Sequence, residues 1–142
     1  MRARLACARD MLERDRLNTL TEKIIGAAIA VHHEIGPGLL ETAYEACLAY
    51  ELMDRGIFFV RQKPLPLVYR GVEMDCAYRV DLLVEDAVVV EVKALERIGR
   101  LHEAQLRSYL RLSGCKVGLL LNFNVKWLTA EGIKRVVNNF PE

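Results

Sequence analysis

Apolar residues recur at helical spacing near the start of the chain. From Thr19 to Ile35 they fall every three or four positions, which is typical of one face of an amphipathic helix. Thr19 and Glu22 have the spacing of a capping box, so the pattern predicts that the helix begins at Thr19. Gly36 and Pro37 then predict its end, because neither residue readily continues a helix.

A second amphipathic segment follows a short Gly-Pro-Gly connection. Residues 39–55, LLETAYEACLAYELMDR, carry an apolar stripe at helical spacing, and Gly56 predicts the end of this helix. Residues 1–17 are charged and only weakly periodic. We therefore expect a frayed or helical N-terminal extension over residues 1–17 and one folded domain over residues 18–142.

The middle of the chain changes to the apolar patterns of β-strands. The expected strands are IFFVRQ at 57–62, PLPLVYR at 64–70, CAYRVDLLV at 76–84 and AVVVEVKA at 87–94. The later segments predict a helix at 99–114, an apolar strand at 115–123 and a short last helix from about Ala130 to Asn138. This order predicts an α/β fold with a mixed central sheet flanked by helices on both faces.

Composition narrows the class of protein. A chain of 142 residues with 52% hydrophobic residues can bury the core of one domain. The net charge is +1, so a nucleic-acid partner would need a local basic patch.

No apolar run reaches the roughly 18 to 20 residues of a membrane span, and the start lacks an apolar signal-peptide core. We expect a cytoplasmic protein without a membrane partner, and homo-oligomerisation stays open. The cysteines lie far apart, which predicts reduced, mostly buried thiols rather than a zinc site: Cys7, Cys47, Cys76 and Cys115.

The segment VVVEVKA raises the main chemical question, because it carries two charges inside an apolar strand. Glu91 and Lys93 share one face of this strand, and Asp81 shares a face with Arg79 in the preceding strand. A three-residue turn at 85–87 places Asp81 opposite Glu91, whereas a two-residue turn puts the two carboxylates on opposite faces. A functional site therefore requires the three-residue turn or a bulge.

Adjacent carboxylates predict a cation between them. Two such charges about 4 Å apart repel by roughly 4 kcal/mol at an effective dielectric near 20. A hard divalent ion relieves this repulsion, and the oxygen ligands of Asp and Glu suit Mg²⁺ or Mn²⁺. Lys93 on the same face can hold a water molecule or stabilise a phosphate. The alternative is a screened ion pair of Glu91 and Lys93 at a strand edge.

The same residues resemble a known signature. Asp81 followed by EVK at 91–93 resembles the D…(D/E)-x-K motif of the PD-(D/E)XK nuclease superfamily. Arg79 and Asp81 add a similar R-x-D element. The chain departs from the superfamily name at Val80, where the name has proline.

A second element is similar to one branch of that superfamily. Within GPGLLETAY, Gly38, Glu41 and Tyr44 match the G-x-x-E-x-x-Y element of the GxxExxY protein family. HEAQL at 102–106 and GLLLNFN at 118–124 are further similar features, so the resemblance extends from about residue 18 to the end.

The resemblance implies a restriction-endonuclease-like fold with an αβββαβ core, and a nuclease that uses Mg²⁺ or Mn²⁺ to hydrolyse DNA or RNA. It implies that Asp81 and Glu91 are metal ligands and that Glu41 is the helical carboxylate that adds to the metal site. Lys93 resembles the catalytic lysine. Gln105 resembles the glutamine of the Q-x-x-x-Y element in related nucleases.

Substrate contacts are expected on the later helix and beside Asp81. Tyr109 lies four residues after Gln105 and shares its helix face, as the tyrosine of that element does. Further arginines are candidate phosphate contacts, although a solvated face would also explain the last four: Arg79, Arg97, Arg100, Arg107 and Arg111.

Each candidate role has a structural alternative. Glu41 can serve only the helix dipole, and Tyr44 and Tyr109 can be core residues with satisfied hydroxyls. A different class of function also stays open. On this alternative, the fold is a regulatory module that binds metal or nucleic acid without cutting.

Overall fold

The structure is a computed structural model that describes residues 1–141 and, within them, all side chains except those of Cys76 and Ala77. None of the helices in this described part combines the length and apolar content needed to cross a membrane. Of the thiols expected to be mostly buried, Cys115 is buried, Cys47 is half-buried and Cys7 is exposed. The side chain of Cys76 lies outside the described residues.

The first helix, α1, extends over Arg2–Ile35 and has 34 residues. The predicted start at Thr19 is therefore wrong, because Thr19 lies in the middle of α1. No glycine or proline precedes Gly26, so nothing interrupts the helix through the charged first segment. The helix ends as predicted at Gly36, whose φ is 65° and whose N–H donates to the carbonyl of His32 at 2.8 Å.

Residues 1–17 form the first half of α1 and are mostly exposed. This half contacts the domain near its end, where Leu17 is buried and Glu13 pairs with Lys116 at 2.8 Å. The second helix, α2, covers Glu41–Asp54, close to the predicted segment.

A five-stranded sheet follows, in the order β1-β2-β3-β4-β5. Its strands are β1 (Phe59–Tyr69), β2 (Val72–Val84), β3 (Val88–Lys93), β4 (Val117–Asn122) and β5 (Ile133–Val137). The first three strands form an antiparallel meander. The third helix, α3 (Arg100–Ser113), then crosses over so that β4 pairs with β3 in parallel, and β5 is antiparallel to β4.

Three predicted elements differ in the structure. The separate strands at 57–62 and 64–70 are one strand, β1, which contains Pro64. Proline is tolerated there because β1 is an edge strand of the sheet. The predicted last helix is instead one π-helical turn, Leu128–Gly132, followed by β5. The buried strand β4 has an outer edge with backbone groups to pair. The last segment pairs with this edge as β5, so it forms a strand rather than a helix.

The sheet carries helices on both faces, as predicted. The helices α1 and α2 cover one face, where Tyr44, Leu48 and Phe123 are fully buried. The helix α3 covers the other face through Leu106 and Leu110. The sequence α2, β1, β2, β3, α3, β4 is the αβββαβ core of a restriction-endonuclease-like fold.

Candidate active site

The hydroxyl of Tyr44 stabilises the loop between α1 and α2 through two hydrogen bonds. This hydroxyl donates to the carbonyl of Gly36 at 2.6 Å and accepts from the N–H of Leu39 at 3.1 Å. Gly38 within the loop has a φ of 102°, which is unfavourable for residues with a side chain. The G-x-x-E-x-x-Y spacing thus sets the loop geometry and fixes where Glu41 begins α2.

The turn between β2 and β3 decides whether the two strand carboxylates meet. It has the three residues 85–87, and Glu85 and Asp86 have φ values of 51° and 54°. The paired residues Leu82 and Val90 set a register that, continued by one step, places Asp81 opposite Glu91. The turn thus has the three residues that a functional site requires.

Asp81 and Glu91 bind each other's strands through their side chains. The N–H of Asp81 donates to Oε1 of Glu91 at 3.0 Å, and the N–H of Val92 donates to Oδ2 of Asp81 at 2.8 Å. Main-chain pairing of β2 with β3 extends no further than Leu82 and Val90. The carboxylates thus accept hydrogen bonds from backbone N–H groups at the point where the two strands separate. These hydrogen bonds bring Asp81 and Glu91 together.

Burial keeps this carboxylate pair from ionising readily. Burial, followed by the nearby charge of Asp81, raises the pKa of Glu91 from 4.5 to about 8. Burial also raises the pKa of Asp81, although hydrogen bonds from Val92 and Gln62 oppose the change. The pair therefore retains a proton near neutral pH, which we place on the more deeply buried Glu91.

Lys93 and Tyr109 adjoin this pair. The Nζ of Lys93 lies 4.0 Å from Oε2 of Glu91, and only 18% of the lysine side chain is exposed. Burial, followed by the charges of Glu91 and Asp81, raises the pKa of the Tyr109 phenol. Tyr109 therefore stays a neutral hydrogen-bonding group near the carboxylates.

Two further polar residues extend the site and were missed by the sequence analysis. Glu45 is buried at 7% exposure, and its Oε1 accepts from Nε2 of Gln62 at 2.6 Å. The same nitrogen of Gln62 donates to Oδ1 of Asp81 at 3.2 Å, and Arg61 pairs with Oε2 of Glu45 at 2.9 Å. Glu45 lies four residues after Glu41, so the shared helix face was a signal that could have identified it.

Glu41 lies at the other side of the site. Its Oε1 accepts from the N–H of Ala94 at 3.2 Å, directly after Lys93. Within residues 1–141, no group of three or more His, Cys, Asp or Glu side chains is placed to hold a metal ion. The structure thus joins Asp81 and Glu91 and leaves Glu41 in contact with the main chain beyond Lys93.

The predicted helical residues divide between two sides of α3. Gln105 and Tyr109 line one cleft together with Lys93. Arg100 and Arg107 are exposed and do not line it. Arg107 is two positions from Gln105, so it is turned by about 200° from Gln105 around the helix. Arg111 lines the cleft instead.

Arg79 is exposed and lines a neighbouring cleft on β1 and β2. This cleft also contains Glu73 and Asp75, so its charge is mixed. Of the arginines expected to contact phosphate, Arg79 thus lines this neighbouring cleft and Arg111 lines the cleft that contains Lys93.

The chain belongs to the PD-(D/E)XK nuclease superfamily, since a family model with that description matches residues 18–136. Nuclease superfamily membership implies a nucleic-acid substrate, and the superfamily's nucleases generally use divalent metals. Comparison with curated proteins and with solved structures yields no match. The matched segment includes every residue of the carboxylate pair and its surroundings described above.

Proposed function

We propose that the protein is a divalent-metal-dependent nuclease of the GxxExxY branch that hydrolyses phosphodiester bonds in DNA or RNA. One observation carries this proposal. The carboxylates of Asp81 and Glu91 meet where β2 and β3 separate, with the ammonium group of Lys93 4.0 Å from Glu91. The G-x-x-E-x-x-Y loop beside this site supports the assignment to that branch.

The donor atoms of the pair fit Mg²⁺ or Mn²⁺. Such an ion is typically held by one or two carboxylates and retains several waters, so two carboxylates suffice. Each carboxylate oxygen of Asp81 accepts one hydrogen bond and has a lone pair left. Burial, followed by the charge of Asp81, raises the pKa of Glu91, so a cation between the two carboxylates would relieve their mutual repulsion. A divalent ion held by Asp81 and Glu91 would supply the charge that offsets the negative charge developing on the phosphate.

The other residues of the site have separate roles in this proposal. Lys93 donates hydrogen bonds to the phosphate and to the attacking water, since its ammonium group carries three donors. Gln105 lines the same cleft and orients the substrate. Tyr109 donates a hydrogen bond to the substrate from its neutral phenol. Glu41 acts through the N–H of Ala94, which fixes the main chain directly after Lys93.

Glu45 and Gln62 complete the support of the pair. Gln62 bridges Glu45 and Asp81, so it holds Asp81 in one orientation. Arg61 offsets the charge of Glu45. These contacts keep the carboxylate that would bind metal from rotating away.

A second candidate function is a module that binds nucleic acid without cutting it. The observation that favours it is the lack, within residues 1–141, of a cluster of three metal-binding side chains. The two candidate functions differ only in whether the bound nucleic acid is cleaved.

A nuclease screen separates the candidates. Purified protein is incubated with single- and double-stranded DNA and RNA in Mg²⁺, in Mn²⁺ and in chelator, beside Asp81→Asn. Asp54→Asn at the end of α2 is the matched control, because it removes the same charge away from the site. Metal-dependent cleavage lost only in Asp81→Asn supports the nuclease. Cleavage that persists in Asp81→Asn, or none by the wild type on any substrate, contradicts it.

A further inference from the structure

A cleft of about 740 Å³ adjoins the carboxylate pair and contains Lys93 in its wall. This volume is within the roughly 300 to 1,000 Å³ that is usual for pockets of small ligands. Apolar side chains provide much of its lining, among them Leu67, Leu101 and Leu112. Leu101 is 81% exposed, so its side chain is accessible to a bound group. A bound group in this cleft would thus lie beside Lys93 and contact apolar surface.

This cleft differs in charge from the other clefts described here. Its lining residues include the cations Lys93 and Arg111 and no aspartate or glutamate. Four other clefts in the described part of the chain each include at least one carboxylate. Arg111 is held by a hydrogen bond from its Nη2 to the Ser108 hydroxyl at 2.9 Å. The cleft beside the carboxylate pair therefore favours an anion that also has an apolar part.

An aromatic platform lies in the same cleft. Tyr78 is 41% exposed and packs against the buried Tyr109, with ring centroids 6.2 Å apart and planes tilted by 59°. This tilted contact holds the Tyr78 ring in place while leaving part of it accessible. The ring of His102 is also fixed, because its Nδ1 accepts from the N–H of Gly99 at 3.0 Å. Fixed, accessible rings are the feature on which nucleobases stack.

We propose that this cleft binds an unpaired base of single-stranded nucleic acid next to the phosphate at Lys93, with Tyr78 as the stacking surface. The proposal rests on the proposed function for the position of that phosphate. Gln105 lines the cleft and can hydrogen-bond a base edge through its amide. Arg111 provides the contact to a neighbouring phosphate.

A duplex fits this surface less well. Its bases are paired and stacked on each other, so they cannot reach Tyr78 without being extruded. Duplex binding also depends on many phosphate contacts, and Arg100 and Arg107 lie outside the cleft. Both arguments favour a single strand, whose base faces are free.

The test measures binding rather than cleavage. Fluorescently labelled DNA and RNA oligonucleotides, single-stranded and as duplexes of the same sequence, are titrated by anisotropy in chelator. The variants are Tyr78→Ala, Tyr78→Phe and Arg111→Ala. Tyr50→Ala is the matched control, because Tyr50 is 63% exposed on α2, outside the cleft.

We expect the wild type to bind single strands more tightly than duplexes. Tyr78→Ala should weaken single-strand binding by roughly 5- to 150-fold, while Tyr78→Phe and Tyr50→Ala leave it within about twofold. Arg111→Ala should weaken it and lower its salt dependence. Equal or tighter binding of duplexes, or unchanged affinity in Tyr78→Ala, would overturn the proposal. Because this assay contains no metal, it tests the cleft separately from cleavage: a single-strand preference here, together with no cleavage in the Mg²⁺ and Mn²⁺ screen, would support the cleft and contradict the nuclease.

Discussion

Replacing Glu91 by glutamine should make the metal-free protein more stable at neutral and alkaline pH. The side chain of Glu91 is only 7% exposed, and it must lose a proton there to become charged. Glutamine has nearly the same shape and never ionises. Its Oε1 can still accept from the N–H of Asp81, so the hydrogen bond that joins the strands is kept.

The size of the effect follows from the shift in pKa. The pKa of Glu91 rises from 4.5 to about 8 in the folded protein, so the folded state holds the extra proton between these values. The associated stability is complete below about pH 4.5 and is lost as the pH rises through about 8. One pKa unit corresponds to about 1.4 kcal/mol, which makes the full loss on the order of 4 to 5 kcal/mol and the loss at about pH 7 roughly 3 kcal/mol.

Urea unfolding followed by circular dichroism measures this difference. Wild type, Glu91→Gln and Glu73→Gln are compared at several pH values from about 5 to 9 in chelator, since Glu73 is an exposed glutamate of β2. The gap between wild type and Glu91→Gln should widen with pH, whereas Glu73→Gln should follow the wild type. Mn²⁺ at about 100 times its Kd should then stabilise the wild type by roughly 2.7 kcal/mol and leave Glu91→Gln unchanged.

Parallel stability curves for wild type and Glu91→Gln over this pH range would refute the reasoning. They would mean that Glu91 is ionised in the folded protein without metal, and that burial does not hold its proton. Equal stabilisation of both proteins by Mn²⁺ would show in addition that the ion binds elsewhere.

Three further substitutions give separate tests. Lys93→Ala should bind Mn²⁺ with unchanged affinity in calorimetry but lose cleavage in a single-turnover assay, since lysine acts on the phosphate; surviving cleavage would contradict its role. Tyr44→Phe leaves the N–H of Leu39 without its partner, so the free energy of unfolding in urea should fall by about 1 to 3 kcal/mol, and an unchanged value would contradict the role of the hydroxyl. Gly132→Ala would bring a Cβ to 2.5 Å from the carbonyl oxygen of Asn122, so the melting temperature should fall; a melting temperature equal to that of the wild type would show that the turn adapts freely.

The position of the carboxylate pair could be predicted because it depends on local rules. Strand alternation places Glu91 and Lys93 on one face, and of the two turns that the sequence left open, the one with three residues sets Asp81 against Glu91. Both rules act within one hairpin. The approach of Tyr44 to its loop also follows from spacing inside a single short segment.

The rest depended on contacts between distant parts of the chain. Gln62 reaches Glu45 and Asp81 only because β1 lies beside both α2 and β2, which no local pattern shows. The last segment forms β5 because β4 offers an edge to pair, although its residues alone suggested a helix. The faces of α3 could have been separated by helical spacing, which turns Arg107 away from Gln105.

The central claim is that Asp81 and Glu91 together bind the divalent ion on which cleavage depends. Calorimetric titration of Mn²⁺ into wild type, Asp81→Asn and Asp54→Asn tests it most directly, in two buffers that differ in ionisation enthalpy. The wild type and Asp54→Asn should bind the ion and release a proton near neutral pH, since the raised pKa of Glu91 means that its proton must leave. Asp81→Asn should not bind. Binding of Mn²⁺ to Asp81→Asn with the affinity of the wild type would contradict the proposed site.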